Sequence, residues 1–108
     1  FGPPRGALRE ATLSAGLRYL REGFADRGYL PDGSLVPRDR PNALLELDAA
    51  RAQGLMLARG ESIHSVDGSV LQLDTETLCL HGDGAHALEL ARQLRVDLDL
   101  AGIAVRAP

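Results

Sequence analysis

The sequence predicts an α/β domain whose parallel strands are joined through helices, and three observations carry that expectation. Helical and strand-like stretches alternate along the chain as helix, strand, helix, hairpin, strand, helix, strand, an order that calls for parallel strands with crossover helices. Apolar residues recur at about 3.5 residues in the helical stretches, most clearly at Ala87, Ala91, Leu94, Leu98 and Ala101. Each helical stretch also closes on a glycine, at Gly16, Gly60 and Gly102.

The first helix starts behind Pro3 and Pro4, whose fixed φ suits a first helical turn, and runs through good helix formers to Gly16. The next residues admit two readings. Leu13, Leu17, Leu20 and Phe24 keep helical spacing and extend one amphipathic helix to residue 24, whereas Gly16 breaks the run and leaves "LRYLREGF" as a short strand. Residues 25–45 contain Gly28, Pro31, Gly33, Pro37 and Pro41 and read as an irregular loop. So long a connection in a small domain is expected to be functional or disordered.

A second helix begins at Glu46 or Asp48, with Leu47, Ala50, Leu55 and Ala58 on or near one stripe. Asp67-Gly68, set between Ile63 and the pair Val70 and Leu71, predicts a hairpin turn. "TLCLH" reads as a short apolar strand, residues 82–102 as the last helix, and "IAV" as a final short strand.

Composition narrows the chemistry. A chain of 108 residues with net charge -3 fits one domain and has no basic field for nucleic acid, and only Phe1, Tyr19, Phe24 and Tyr29 are available to stack on bases. Apolar runs are too short for a membrane span and no signal-peptide pattern is present, so the expected location is the cytoplasm. All 12 Lys+Arg residues are arginine, which removes Walker-type phosphate loops, lysine Schiff bases and Ser-x-x-Lys nucleophiles. The single cysteine, Cys79, cannot form an internal disulfide.

In α/β folds reactive groups collect where strands end and loops begin. Two stretches have that position: Glu22 with Asp26 and Arg27, and "CLHGDG" with His81 and Asp83. His81 can exchange a proton near neutral pH and Asp83 lies near enough to orient it or act as a second base. Equally, Asp83 fits an N-cap for the following helix and His81 fits a backbone partner. As a metal pair the two are too few. Cys79 shares the strand face of His81, which allows a thiol–imidazole pair or simply a buried small residue. Arg27, Arg38 and Arg40 can fork onto a carboxylate or phosphate, or pair on a wet surface with Asp26, Asp32 and Asp39.

"EGFADRGY" (Glu22 to Tyr29), "DGSLVPRDRPNALL" (Asp32 to Leu45) and "LCLHGDGAHALELA" (Leu78 to Ala91), in this order, resemble the C-terminal half of the LamB/YcsF family, known as the A subunit of 5-oxoprolinase. The resemblance implies the C-terminal half of a TIM-like, seven-stranded β/α barrel, with residues 1–108 as part of a single domain, and a strand over about residues 18 to 23. It implies ATP-dependent opening of the 5-oxoproline lactam to L-glutamate, with ATP as co-substrate, in a complex with two further subunits. A lactam is a stable amide, so the coupling to ATP is expected to run through phosphorylation of the amide oxygen before water attacks. The positions carried over are Glu22, His81 and Asp83 as catalytic groups and Asp26, Arg27 and Arg38 as substrate-binding groups. "HGDG" stands where the family more often has "HGDNP", and the N-terminal half, with its own Asp, Asn and His motifs, is not in this chain. Alone, the chain is expected to be inactive. Two other functions fit the same residues, a carbohydrate-processing or deacetylating barrel hydrolase and a non-catalytic assembly module.

Overall fold

The computed structural model describes residues 1–108, with the elements α1 (Ala7–Ser14), β1 (Glu22–Phe24), α2 (Leu47–Ala58), β2 (Ile63–His64), β3 (Val70–Leu71), β4 (Thr77–Cys79) and α3 (Ala87–Leu100) in chain order. The centre of the fold is a parallel pair, β1 on β4, in which Glu22 stands opposite Thr77, Gly23 opposite Leu78 and Phe24 opposite Cys79. Gly2 makes a parallel bridge to Arg21 on the other side of β1, donating to the Leu20 carbonyl (3.1 Å) and accepting from the Glu22 N–H (2.7 Å). Three parallel stretches therefore lie side by side in chain order, each followed by a helix, although the first is a single bridge. This is a mixed α/β fold with few strands.

Gly16 adopts φ 72, which a side chain resists, and it ends α1. One helix through residue 24 is thereby overturned. The strand that replaces it is shorter than the expected 18 to 23 and sits later, at residues 22–24, because its ladder is set by Thr77–Cys79 and the backbone bonds before it, from Gly2, Glu76 and Thr77, reach only Leu20 and Arg21. The hairpin forms as read, with Ile63 opposite Leu71 and His64 opposite Val70, and α2 starts behind Glu46. The expected last strand does not form. The Ile103 N–H is taken by the Leu98 carbonyl (2.9 Å), terminating α3, and the Ile103 side chain packs against the core between α2 and α3.

Strand alternation sends Gly23, Ala25, Leu78 and Leu80 to the helical side. Ala25, Ala50, Leu90, Leu94 and Leu98 form the core there, with Leu78 and Leu80 against it. The buried stripe of α2 is Ala50, Gln53, Gly54 and Leu57, so the expected Leu47, Leu55 and Ala58 only flank it. Likewise α3 buries Leu90, Leu94 and Leu98, while Ala91 is exposed. Arg51 of α2 clasps Asp97 of α3 through two bonds, Nε to Oδ2 (2.8 Å) and Nη2 to Oδ1 (2.9 Å). A second core of Tyr29, Leu57, Ile63, Leu71 and Leu73 lies under the hairpin. No helix is long and apolar enough to cross a membrane.

Gly54 is where α2 meets both β1 and α3. A Cβ there would lie 2.9 Å from Leu94 Cδ2 and 3.1 Å from Ala25 Cβ, inside a close-packed core. Gly54→Val is expected to lower stability by about 2 kcal/mol, and the melting temperature by roughly 10 °C, through overpacking. A thermal melt followed by circular dichroism checks this.

Candidate functional site

The face of the parallel pair turned away from the helices carries Glu22 and Phe24 from β1 and Thr77 and Cys79 from β4, with His81 two residues beyond. All of these are half-buried. At the carboxyl end of the pair, β1 runs into a tight turn and β4 into the glycine-flanked segment Gly82-Asp83-Gly84.

Asp26 joins the two strand ends. Its Oδ2 accepts the His81 backbone N–H (2.8 Å), and its carboxylate faces His81 Nδ1 at 3.0 Å from Oδ1 and 3.2 Å from Oδ2. Asp26 is buried. A ring nitrogen placed against a carboxylate carries the proton, so we assign the hydrogen to Nδ1, which leaves Nε2 with a free lone pair. Phe24 stacks on the imidazole with ring centroids 5.8 Å apart and planes 19° apart, fixing the ring plane from one side.

The turn that presents Asp26 is itself fixed by groups the sequence did not single out. Gln53 Nε2, from the buried stripe of α2, lies 2.9, 3.2 and 2.8 Å from the carbonyl oxygens of Phe24, Ala25 and Arg27. The Tyr29 hydroxyl accepts the Phe24 N–H (2.9 Å). The signal for Gln53 was available, since it is a polar residue three positions after Ala50 on an otherwise apolar stripe.

Arg27 does not reach outward. It is buried, with Nε donating to the Ala43 carbonyl (2.9 Å) and Nη2 to the Val36 carbonyl (2.7 Å), and so it fastens the 25–45 loop from within. Gly28 lets that loop close, because a Cβ there would fall 2.1 Å from the Asn42 carbonyl oxygen. The Leu45 N–H donates to the Asp26 carbonyl (3.0 Å), so the loop returns to the residue where it left the strand. Neither disorder nor a surface pair with Asp26 describes this arginine.

Arg38, at the far side of the loop, bonds Asp83 through Nη1 to Oδ2 at 2.7 Å, bridging 45 positions of sequence. The hydrogen bond and charge of Arg38 hold the Asp83 carboxyl below its ordinary range, and Asp83 in turn raises the Arg38 guanidinium. A carboxylate so held is a weaker base than its place in the sequence suggests. Asp83 is also not the cap of α3, whose N-cap is His86 without a side-chain bond.

Glu22 opens β1 rather than closing it. Its partner is Thr77, four residues before His81, which places it roughly 13 Å deeper along the strand direction at the rise of a parallel strand. It shares the face of His81 but not its level, and the reason is the ladder register. Burial, followed by the charges of Glu22 and Asp26, pushes the Cys79 thiol up, away from the thiolate a nucleophile needs. Asp32 turns inward on its own loop, bonding Ser34. No group of three or more His, Cys, Asp or Glu side chains gathers where it could hold a metal ion.

Two hollows flank this arrangement. One, of about 420 Å³, is lined by Phe24, Tyr29, Leu35, Leu73, Asp32 and Ser34 together with Pro3 to Gly6. The other, of about 430 Å³, lies at the opposite end of β4 among Thr77, Leu78 and residues 103–108, away from His81.

Fold and site together define an α/β protein with a carboxylate-oriented histidine at the carboxyl end of its parallel strands. The chain belongs to the LamB/YcsF family, which it matches over residues 1–108. It is 43% identical over 111 residues to the 5-oxoprolinase A subunit of Symbiobacterium thermophilum, covering 100% of this chain and 42% of that protein. With the 5-oxoprolinase A subunit of Methylococcus capsulatus the identity is 52% over 108 residues, covering 98% and 41%. In solved structures it is similar to the lactam utilization protein from Thermus thermophilus, with TM-score 0.83 and 34% identity, covering 93% of this chain and 40% of that one. The chain thus spans about two fifths of the length of these relatives.

Burial pushes the Tyr29 hydroxyl up from 10.0 to about 12. The unfolded chain then ionises this phenol at lower pH than the folded one. The stability it supplies is complete below pH 10 and is lost as the pH rises to about 12, a fall of about 2–3 kcal/mol. Chemical denaturation at pH 9 and pH 12 is expected to show this fall, and Tyr29→Phe, which also loses the bond to Phe24, is expected to remove its tyrosine component.

Proposed function

We propose that this chain is the part of a 5-oxoprolinase A subunit that carries the general base for opening the 5-oxoproline ring to L-glutamate. The observation that carries the proposal is the Asp26–His81 pair, in which a buried carboxylate holds Nδ1 and turns Nε2 free. The names of the relatives supply the substrate class.

In this reading His81 Nε2 takes a proton from water as the water oxygen attacks the lactam carbonyl carbon. With the lactam oxygen first phosphorylated by ATP, the C–N bond then breaks, the proton passes to the departing nitrogen, and a second water converts the resulting acyl phosphate into phosphate and the new carboxylate of glutamate. Asp26 acts through His81, fixing its tautomer and balancing the charge it gains. This replaces the direct substrate contact expected from the sequence. Glu22 contributes a carboxylate deeper on the same face, and Arg38 offers the cation for the substrate carboxylate. Arg27 serves the loop that carries Arg38.

Lysine is absent from this chain, so a Walker-type phosphate loop is not among its residues. ATP therefore belongs in the proposal as co-substrate of a larger assembly, formed with two further subunits and with the rest of a TIM-like β/α barrel. The side-by-side parallel order of Gly2, β1 and β4 is the order that successive strands of such a barrel take.

The test is glutamate release from 5-oxoproline and ATP by the complete assembly. His81→Gln is expected to lower kcat by roughly 10²–10⁴-fold with folding intact, the usual weight of general acid–base catalysis. Unchanged turnover in that variant would remove His81, and with it the proposal.

A further inference from the structure

Arg38 and Asp83 are the only functional candidates of this site that are bonded to each other and also open to solvent. The pair joins the 25–45 loop to the segment after β4 through one contact of 2.7 Å, with about half of each side chain exposed, at 49% and 61%. Their surroundings alternate in sign. Arg38 feels Asp26 as well as Asp83, and Asp83 feels His81 as well as Arg38, so the cation sits within range of the carboxylate that orients the histidine. A ligand carboxylate placed on Arg38 would take the place and the charge that Asp83 now provides.

The segment holding Asp83 is sparsely packed. Gly82 and Gly84 on either side have no atom within 4 Å of where a Cβ would lie, and Arg38 is the only side chain that Asp83 bonds, while the Gly84 carbonyl accepts the Ala87 N–H (3.1 Å) at the end that leads into α3. Arg38, by contrast, sits in a loop anchored by Arg27, by Gly28 against Asn42 and by the bond from Leu45 to Asp26. One partner of the pair stands on an anchored loop and the other on a segment with open space around it.

We propose that Asp83 is a built-in competitor for Arg38, and that the carboxylate of a small cyclic amide enters the site by taking Arg38 from it. The exchange swings residues 82–84 away from the histidine and confines the seat to ligands that bring their own carboxylate. It rests on the functional reading above only for the ring to which that carboxylate is attached. Asp83 is then a specificity-determining residue rather than a second base.

Binding to the full chain by calorimetry tests this with L-5-oxoproline, 2-pyrrolidone, which is the same ring without the carboxylate, and inorganic phosphate. An exposed ion pair contributes at most about 1 kcal/mol, which is about fivefold in affinity. Asp83→Asn is therefore expected to bind L-5-oxoproline about fivefold tighter than the parent with no gain for 2-pyrrolidone, and Arg38→Gln to abolish the gain in the double variant. Equal or weaker binding by Asp83→Asn, a gain that survives Arg38→Gln, or no binding of any probe would overturn the proposal. A fivefold gain for phosphate, with L-5-oxoproline bound by no variant, would uphold the exchange at Arg38 and remove the lactam reading instead. Thermal melts of each variant confirm that the exposed substitutions leave the fold in place.

Discussion

The buried carboxylate of Asp26 is the point at which the two halves of the site are tied together. It lies just past the end of β1, and its two oxygens take both the main-chain N–H and the ring N–H of His81, two residues past the end of β4. The main-chain bond sets where the residue sits, and the side-chain bond sets which way its ring nitrogens face. A buried carboxylate is costly unless its lone pairs are met, and here the histidine meets them twice. Everything else around the site serves to hold Asp26 in place. Gln53 fixes the carbonyls of the turn, Tyr29 the amide before it, and the bond from Leu45 brings the returning loop back to the Asp26 carbonyl.

This arrangement explains how the 25–45 loop folds with few apolar residues and no helix or strand of its own. Arg27 turns inward and satisfies two loop carbonyls, so the loop is closed by a buried cation together with the buried side chains of Tyr29, Val36 and Ala43. Arg38 faces outward on the frame this creates. Two arginines of one loop thus differ in place, one buried and closing the loop, the other half-exposed and bonded to Asp83.

The helices, the hairpin and the glycine stops were legible because each depends on local chemistry: φ above zero at Gly16, Gly60 and Gly102, and the Asp67-Gly68 turn. The site pairing was legible only in part. His81 and Asp26 were both named, but as a base and a substrate ligand in separate motifs, because the bond between residues 55 positions apart follows from strand register. Register is also what moved Glu22 from a strand tip to the start of β1. Asp83 was given the choice of N-cap or base; it does not cap α3, and its carboxylate meets Arg38 across the fold, a partner that sequence spacing does not show. The final strand failed because Ile103, apolar enough for a strand, is drawn onto the helical core instead.

The tautomer of His81 tests the central claim most directly. Long-range ¹H–¹⁵N correlation spectra of the histidine side chains, recorded on the parent and on Asp26→Asn, read which ring nitrogen carries the hydrogen. The account predicts that the neutral ring of the parent carries its hydrogen at Nδ1 and is bare at Nε2, and that the two tautomers mix once the carboxylate is gone. A parent His81 protonated at Nε2, or one unmoved by the Asp26 substitution, would contradict it.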